Sequence, residues 1–232
     1  MGDCDELGWL ARESEYTMRL RSLAIGITLS AGVAIAQTSA APDLHLRGDR
    51  FKPLTYSELT PEQKAMADHL LAGERGGMNG PFNVTLRSPE IGDQAQKLGA
   101  LLRFHSSLPN RLNELAILMT ARFWMAQYEW SAHKRNALAA GVSAATIDAI
   151  AAGKRPASMQ PDEEVIYNFA DDLFRTRQVS DASFKAVVNK FGERGAVDLT
   201  GVMGYYCFVS MMLNIDRYPL PDGQKPELTP AQ

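Results

Sequence analysis

Cysteine is scarce in this chain: among its 232 residues there are two, Cys4 and Cys207. Cys4 lies in an N-terminal segment that we expect to be removed, which leaves Cys207 as the one cysteine of the mature chain. A single cysteine cannot form an internal disulfide bond, so a disulfide-stabilised scaffold is excluded. Because Cys207 is surrounded in sequence by apolar and aromatic residues, we expect a buried small side chain there rather than a reactive thiol.

An excess of charge of one sign is also missing. The formal net charge is −3, from 24 Lys and Arg against 27 Asp and Glu, and no basic stripe or block occurs. This composition argues against a nucleic-acid partner. With no internal repeat or low-complexity stretch, and with 45% hydrophobic and 22% charged residues, the chain has the composition of a globular protein with one well-packed domain.

The apolar run near the N-terminus, over residues 23–33, is too short for a comfortable membrane span of ~20 residues, so we predict no stable membrane span. Arg19 and Arg21 precede this run and a small-x-small pattern ends at Ala36. This layout predicts a secretory signal peptide over 18–36 and a periplasmic mature protein. Cytoplasmic residence, with this segment as an N-terminal anchor or amphipathic tail, is the alternative. Residues 1–17 are acidic, which favours a true translation start at Met18.

Helical periodicity runs through the rest of the chain, and no β-hairpin signal appears. Start and stop signals predict helices over 61–74, 89–104, 109–140, 144–152, 161–177, 182–191 and 195–214. Helices with such short connections predict an all-α bundle. We expect an N-terminal arm over 37–60, a helical domain over 61–220 and a C-terminal tail over 221–232.

Ionisable side chains lie within the apolar segment 109–140. Glu129 and His133 are four residues apart, so on a helix they share one face. Glu114 lies in an apolar run, where a carboxylate is costly unless it is paired. If 122–133 is one helix, Arg122 and Ala126 join the same stripe: Arg122 could bind a substrate carboxylate or neutralise a glutamate, and Ala126 would leave room for a small molecule. Spacing alone also fits an ordinary surface ion pair.

At these residues the chain resembles the carboxymuconolactone decarboxylase family, which shares its fold with the alkylhydroperoxidase D (AhpD) group. The resemblance covers roughly residues 81–220. The peroxidase branch carries a Glu, eleven residues, Cys-x-x-Cys, three residues and a His. On this sequence the Glu and His fall on Glu114 and His133, and the two cysteine positions hold Ala126 and Glu129. Dithiol peroxide chemistry needs both thiols, so the resemblance implies the decarboxylase-type branch, which requires no metal or cofactor.

The resemblance implies a lyase or isomerase that acts on a small carboxylated lactone or ring acid, with Glu114, Glu129 and His133 as catalytic residues. His133 is the natural proton donor, although it and Glu129 could exchange roles. Residues that the resemblance suggests as walls of the site are Asn83, Tyr206 and Asn214, and further wall residues that it suggests are the rest of the loop 79–83, His105 and Tyr205. Two alternatives remain: a peroxiredoxin-like activity inferred from the shared fold, and a non-catalytic exported oligomer that binds a small acid.

Aromatic residues crowd both sides of the Glu129–His133 segment, namely Phe123, Trp124, Tyr128 and Trp130. One face of a small bundle would not bury them all, which favours a homo-oligomer; the resemblance implies a trimer or hexamer. The alternative is that these aromatics fill a single core.

Overall fold

The computed structural model describes residues 41–229, and this part of the chain is helical without a β-strand. The signal peptide predicted over 18–36 lies outside the described residues. After a 3₁₀ turn at Tyr56–Glu58 come α1 (Pro61–Ala72), α2 (Phe82–Thr85), α3 (Pro89–Phe104), α4 (Asn110–Phe123), α5 (Gln127–Ala140), α6 (Ala144–Ala151), α7 (Pro161–Thr176) and α8 (Asp181–Asp216). The all-α prediction is confirmed for these residues.

The helix starts follow local capping chemistry. The side chains of Thr60, Ser143 and Ser180 each accept a hydrogen bond from the backbone N–H three residues later, so they occupy donors that a helix cannot satisfy internally. At the C-terminal end of α5, Gly141 adopts the left-handed conformation with φ 98°, as helix-terminating glycines commonly do. These boundaries match those predicted from the sequence.

The prediction of one helix over 109–140 is wrong, because the chain leaves the helix at residues 124–126. Met125 is left-handed, with φ 52°. The N–H of Ala126 donates to the carbonyl of Ala121 at 2.9 Å, and the N–H of Met125 donates to that of Arg122 at 3.1 Å. This pair of bonds is the Schellman motif that ends many helices. Arg122 therefore lies in the last turn of α4, while Glu129 and His133 belong to α5.

Helix α8 contains a break at Gly192, which has non-helical angles of φ 73° and ψ 174°. The break falls between the two helices predicted at 182–191 and 195–214. By length and composition alone α8 is long and apolar enough to cross a membrane. Here it packs against α3, α4 and α7, as the core helix of a bundle does.

Helix α4 lies at the centre of the bundle and contacts α5, α6, α7 and α8. All ten residues over 112–121 are buried, so this helix has no solvent-facing side over that length. A helix buried all round tolerates a polar side chain only where a neighbouring element supplies a partner. Glu114 is such a side chain.

The segments on either side of the helical domain pack onto it. In the arm, Leu44 and Leu59 are buried, and the buried Asp216 of α8 accepts the backbone N–H groups of Asp49 at 3.2 Å and Phe51 at 2.8 Å. In the tail, Leu228 is buried, and its backbone carbonyl and N–H bond to a side chain at the start of α5. Both segments therefore stabilise the bundle.

Among the aromatic residues, Trp130 is fully buried in the core. Phe123 is 41% exposed and stacks on Phe174 of α7, with ring centroids 4.5 Å apart. The crowding of aromatics near α5 is thus partly core packing and partly exposed surface.

Candidate active site

A buried carboxylate–imidazole–carboxylate triad joins α4 to α5. His133 Nδ1 lies 2.7 Å from Glu114 Oε2, and His133 Nε2 lies 3.0 Å from Glu129 Oε1. The exposed fractions of Glu114, Glu129 and His133 are 3%, 4% and 5%. The three residues that the sequence singled out for chemistry are therefore in direct contact.

The turn at 124–126 is what assembles this triad. In one straight helix, Glu114 and His133 would be roughly 28 Å apart at a rise of about 1.5 Å per residue. The turn folds α5 back against α4, so that residue 133 comes level with residue 114. Within α5, the four-residue spacing then brings Glu129 onto the face of His133. The helix break that the sequence did not predict is thus a requirement of the site.

The imidazole of His133 is held in its charged form. Each ring nitrogen faces a carboxylate oxygen, and only the doubly protonated ring can donate to both. Burial by itself would lower the pKa of His133, but the charge of Glu129 and the hydrogen bonds to Glu114 and Glu129 outweigh it and raise the pKa to about 9. At neutral pH the ring therefore carries a proton on each nitrogen.

The triad opens on one side into a cavity of about 260 Å³. Glu129 and His133 line it, while Glu114 lies behind the imidazole. The other walls come from the loop after α1, from α3, from α5 and from α8; the lining residues are Arg75, Asn79, Gly80, Pro81, Arg103, Tyr128, Ala132, Arg135, Asn136, Tyr205, Tyr206 and Val209. A cavity of this size suits a small molecule.

Cations and phenols face the triad across this cavity. Arg75, Arg103 and Arg135 line it, and Arg75 Nη2 donates to the hydroxyl of Tyr205 at 3.4 Å. The ring of Tyr206 meets the His133 ring edge-on, with centroids 5.0 Å apart. Burial raises the pKa of Tyr206 well above its usual value, so its hydroxyl stays neutral and can donate a hydrogen bond. The walls therefore suit an anionic ligand with hydrogen-bond acceptors.

Of the five residues predicted to bind substrate, Tyr206 lines the cavity. The other four do not line this cavity. Asn83 is buried elsewhere, where it donates to the carbonyl of Phe51 at 2.7 Å. Asn214 donates to the carbonyl of Trp124 at 2.8 Å on a different surface.

Arg122 and Ala126 miss the cavity because of the helix break. Ala126 is the buried N-cap position of α5, so it leaves no gap on the face of Glu129. Arg122 lines a separate groove between α4 and α7. The expectation that these two residues share a stripe with the triad is therefore wrong.

No sequence pattern had indicated the three cavity arginines or Tyr128 as site residues. Arg75, Arg103 and Arg135 come from three separate parts of the chain, and no local spacing connects them.

Cys207 is half-buried away from the cavity, and burial raises the pKa of its thiol, which makes it a poor nucleophile. Within residues 41–229, no group of three or more His, Cys, Asp or Glu side chains has an arrangement that could hold a metal ion. The acid–base groups of the triad are thus the reactive groups that this cavity presents.

Comparison with known proteins agrees with this fold. Residues 89–172 match the model of the carboxymuconolactone decarboxylase family, and this segment contains the whole triad. No protein of curated function matches the sequence significantly.

Two solved structures have a similar fold. One is a protein of unknown function from Agrobacterium tumefaciens, suggested to be the antioxidant defence protein AhpD, at 16% identity and TM-score 0.54 over 62% of this chain and 99% of that one. The other is a cysteine-to-alanine variant of the debrominase Bmp8 in complex with 2,3,4-tribromopyrrole, at 14% identity and TM-score 0.57 over 74% of this chain and 91% of that one. At such identities the likeness concerns the fold alone. Over residues 89–172, which hold the whole triad, the chain is similar to the carboxymuconolactone decarboxylase family.

Proposed function

We propose that this protein is a cofactor-independent lyase or isomerase that moves a proton on a small carboxylated substrate, as a carboxymuconolactone decarboxylase would. One observation carries the proposal: the buried carboxylate–imidazole–carboxylate triad opens onto a cavity with three arginines in its walls. Buried ionisable groups with a strongly shifted pKa, next to a cavity, are typical of catalytic sites.

The arginines supply the affinity for the substrate. Guanidinium groups bind carboxylates through paired, charge-assisted hydrogen bonds. Arg75 and Arg103 are half-buried and Arg135 is exposed at the rim, so a carboxylated ring can enter with its charge toward the first two. The limited volume of about 260 Å³ favours a substrate of one ring.

The triad supplies the proton. When the bond between carbon and a departing CO2 breaks, its electron pair moves into a conjugated carbonyl, and the oxyanion accepts hydrogen bonds from the neutral hydroxyl of Tyr206 or from an arginine. Glu129 takes the proton from His133 Nε2, 3.0 Å away, and passes it to the carbon. Glu114 keeps the imidazole oriented and shares its charge. Solvent then reprotonates His133. In an isomerisation the first step would instead be proton removal by Glu129.

A turnover assay with the purified full chain tests this function. Carboxymuconolactone and a panel of small lactone acids and keto acids are followed by CO2 release and by ultraviolet absorbance. We expect Glu129→Gln and His133→Asn to lower kcat by about 10²–10⁴-fold, the usual contribution of a general acid–base group. Arg122→Met, in the separate groove, is the matched control and should retain activity. Full activity in Glu129→Gln would contradict the proposal, and binding of panel acids without turnover would indicate a binding protein.

Export to the periplasm and homo-oligomerisation remain part of the proposal. The signal-like pattern over 18–36 supports export, and a mature N-terminus at Gln37 in the native host, read by mass spectrometry, would test it. Exposed apolar side chains along α3, including Ile91, Leu98 and Leu101 at 57%, 48% and 54% exposure, support self-association. Leu98→Lys should then lower the molar mass measured by light scattering. A monomer mass for both the wild type and the variant would contradict self-association.

A further inference from the structure

A second cavity lies apart from the triad. It occupies about 360 Å³ between α4, the end of α6 and α7, and its lining residues include Arg122, Phe123, Ile150, Gly153, Lys154 and Phe174. It shares no lining residue with the triad cavity. A ligand bound here would therefore not compete directly for the triad.

The guanidinium of Arg122 lacks a counter-ion in this cavity. Arg122 is half-buried, and its Nε is buried without a hydrogen-bond acceptor in the described part of the chain. Its Nη1 contacts the thioether sulfur of Met125, a weak acceptor. By contrast, Arg111 on the same helix pairs with Asp162 at 2.7 Å and Glu163 at 2.6 Å. A partly buried charge without a paired anion is costly, which points to an anion from outside the chain.

The surroundings reinforce the positive charge. Lys154 is exposed at the rim, and it forms no ion pair within residues 41–229. The one carboxylate of the lining, Asp171, is already paired with Arg175 at 3.3 Å. The cavity therefore attracts a negatively charged group.

The wall beside Arg122 is apolar and aromatic. Phe123 and Phe174 stack with centroids 4.5 Å apart and an interplanar angle of 11°, and Met119 and Ile150 complete this wall. At Gly153 a Cβ atom would lie 2.8 Å from Arg122 Nη2. The lack of a side chain at this position leaves open the approach to the guanidinium.

We propose that this second cavity is a binding site for a small carboxylate with a flat apolar body, such as an aromatic acid. The carboxylate pairs with Arg122 and Lys154, and the apolar body lies against the wall formed by Phe123 and Phe174. The ligand class follows from the two halves of the site: cations at one end and stacked rings at the other.

Titration of the full-length protein with benzoate tests this site. Binding is measured by calorimetry and by the NMR shift of the Met119 methyl group, with benzamide as the uncharged analogue. We expect benzoate to shift the Met119 signal and benzamide to bind more weakly. Arg122→Met should weaken benzoate binding by about tenfold or more, since a charge-assisted contact is lost. Arg103→Met, which alters the triad cavity, is the matched control and should leave the Met119 shift unchanged.

The proposal is overturned if benzoate causes no Met119 shift at millimolar concentration, if Arg122→Met binds as tightly as the wild type, or if Arg103→Met abolishes the shift. If Arg122→Met fails to fold, Lys154→Gln tests the proposal instead. Lys154 is exposed, so its loss should not disturb the core. We expect about threefold weaker benzoate binding from this variant, as for an exposed ion pair. Unchanged affinity in Lys154→Gln would then overturn the proposal.

Discussion

Replacing His133 by asparagine tests the charge state of the buried triad. In the wild type, one imidazolium lies between two carboxylates, at 2.7 Å and 3.0 Å. Asparagine keeps a polar side chain of smaller size but cannot carry the charge. The variant therefore leaves Glu114 and Glu129 buried without a cation. Removal of one partner from a buried ion pair typically costs about 3–5 kcal/mol.

The pKa of His133 sets the pH dependence of stability in the wild type. Because the folded protein raises this pKa from 6.5 to about 9, the folded state holds the proton more tightly than the unfolded chain. The resulting stabilisation is fully present below pH 6.5 and is lost as the pH rises through 9. With 1.36 kcal/mol per pKa unit, the contribution is about 3 kcal/mol.

Two measurements check this. In an NMR titration of imidazole-labelled protein, the signal that disappears in His133→Asn should titrate near pH 9. In urea unfolding, the wild type should lose about 3 kcal/mol more than His133→Asn between pH 6.5 and pH 10. His105→Asn is the control, since this histidine is exposed and pairs with Glu74 at the surface. A His133 signal that titrates near pH 6.5, or equal pH dependence in wild type and His133→Asn, would refute the reasoning.

Three further substitutions test how the site is supported. A Cβ atom at Gly99 would collide with the ring of Tyr205, so Gly99→Ala should weaken ligand binding in the triad cavity while circular dichroism stays helical; unaltered binding would contradict the contact. Asp216→Ala removes the acceptor of two arm N–H groups and should lower the free energy of unfolding by about 3 kcal/mol, with faster proteolysis within 41–55; an equally resistant arm would count against this anchor. Leu228→Ala should cost about 2–3 kcal/mol, because a buried side chain of the tail is truncated, whereas a surface-like cost below about 0.5 kcal/mol would mean that the tail does not pack.

Much of the fold could be predicted from local signals. Thr60, Ser143 and Ser180 cap helices where the sequence predicted, and Gly141 ends α5, because these residue types have a local conformational preference that does not depend on distant contacts. The same rules missed the end of α4. There the left-handed position is held by Met125, a residue type without that preference.

The sequence was sufficient to predict the three reactive groups of the site. The four-residue spacing of Glu129 and His133 indicates a shared helix face. The apolar surroundings of Glu114 indicate a buried carboxylate that needs a partner. Tertiary structure decided how they meet. Packing of α5 back along α4 imposes the turn at 124–126, which assembles the triad and directs Arg122 into another cavity. The arginines that face the triad come from separate elements, so their convergence depends on how the helices pack, and no local pattern in the chain encodes it.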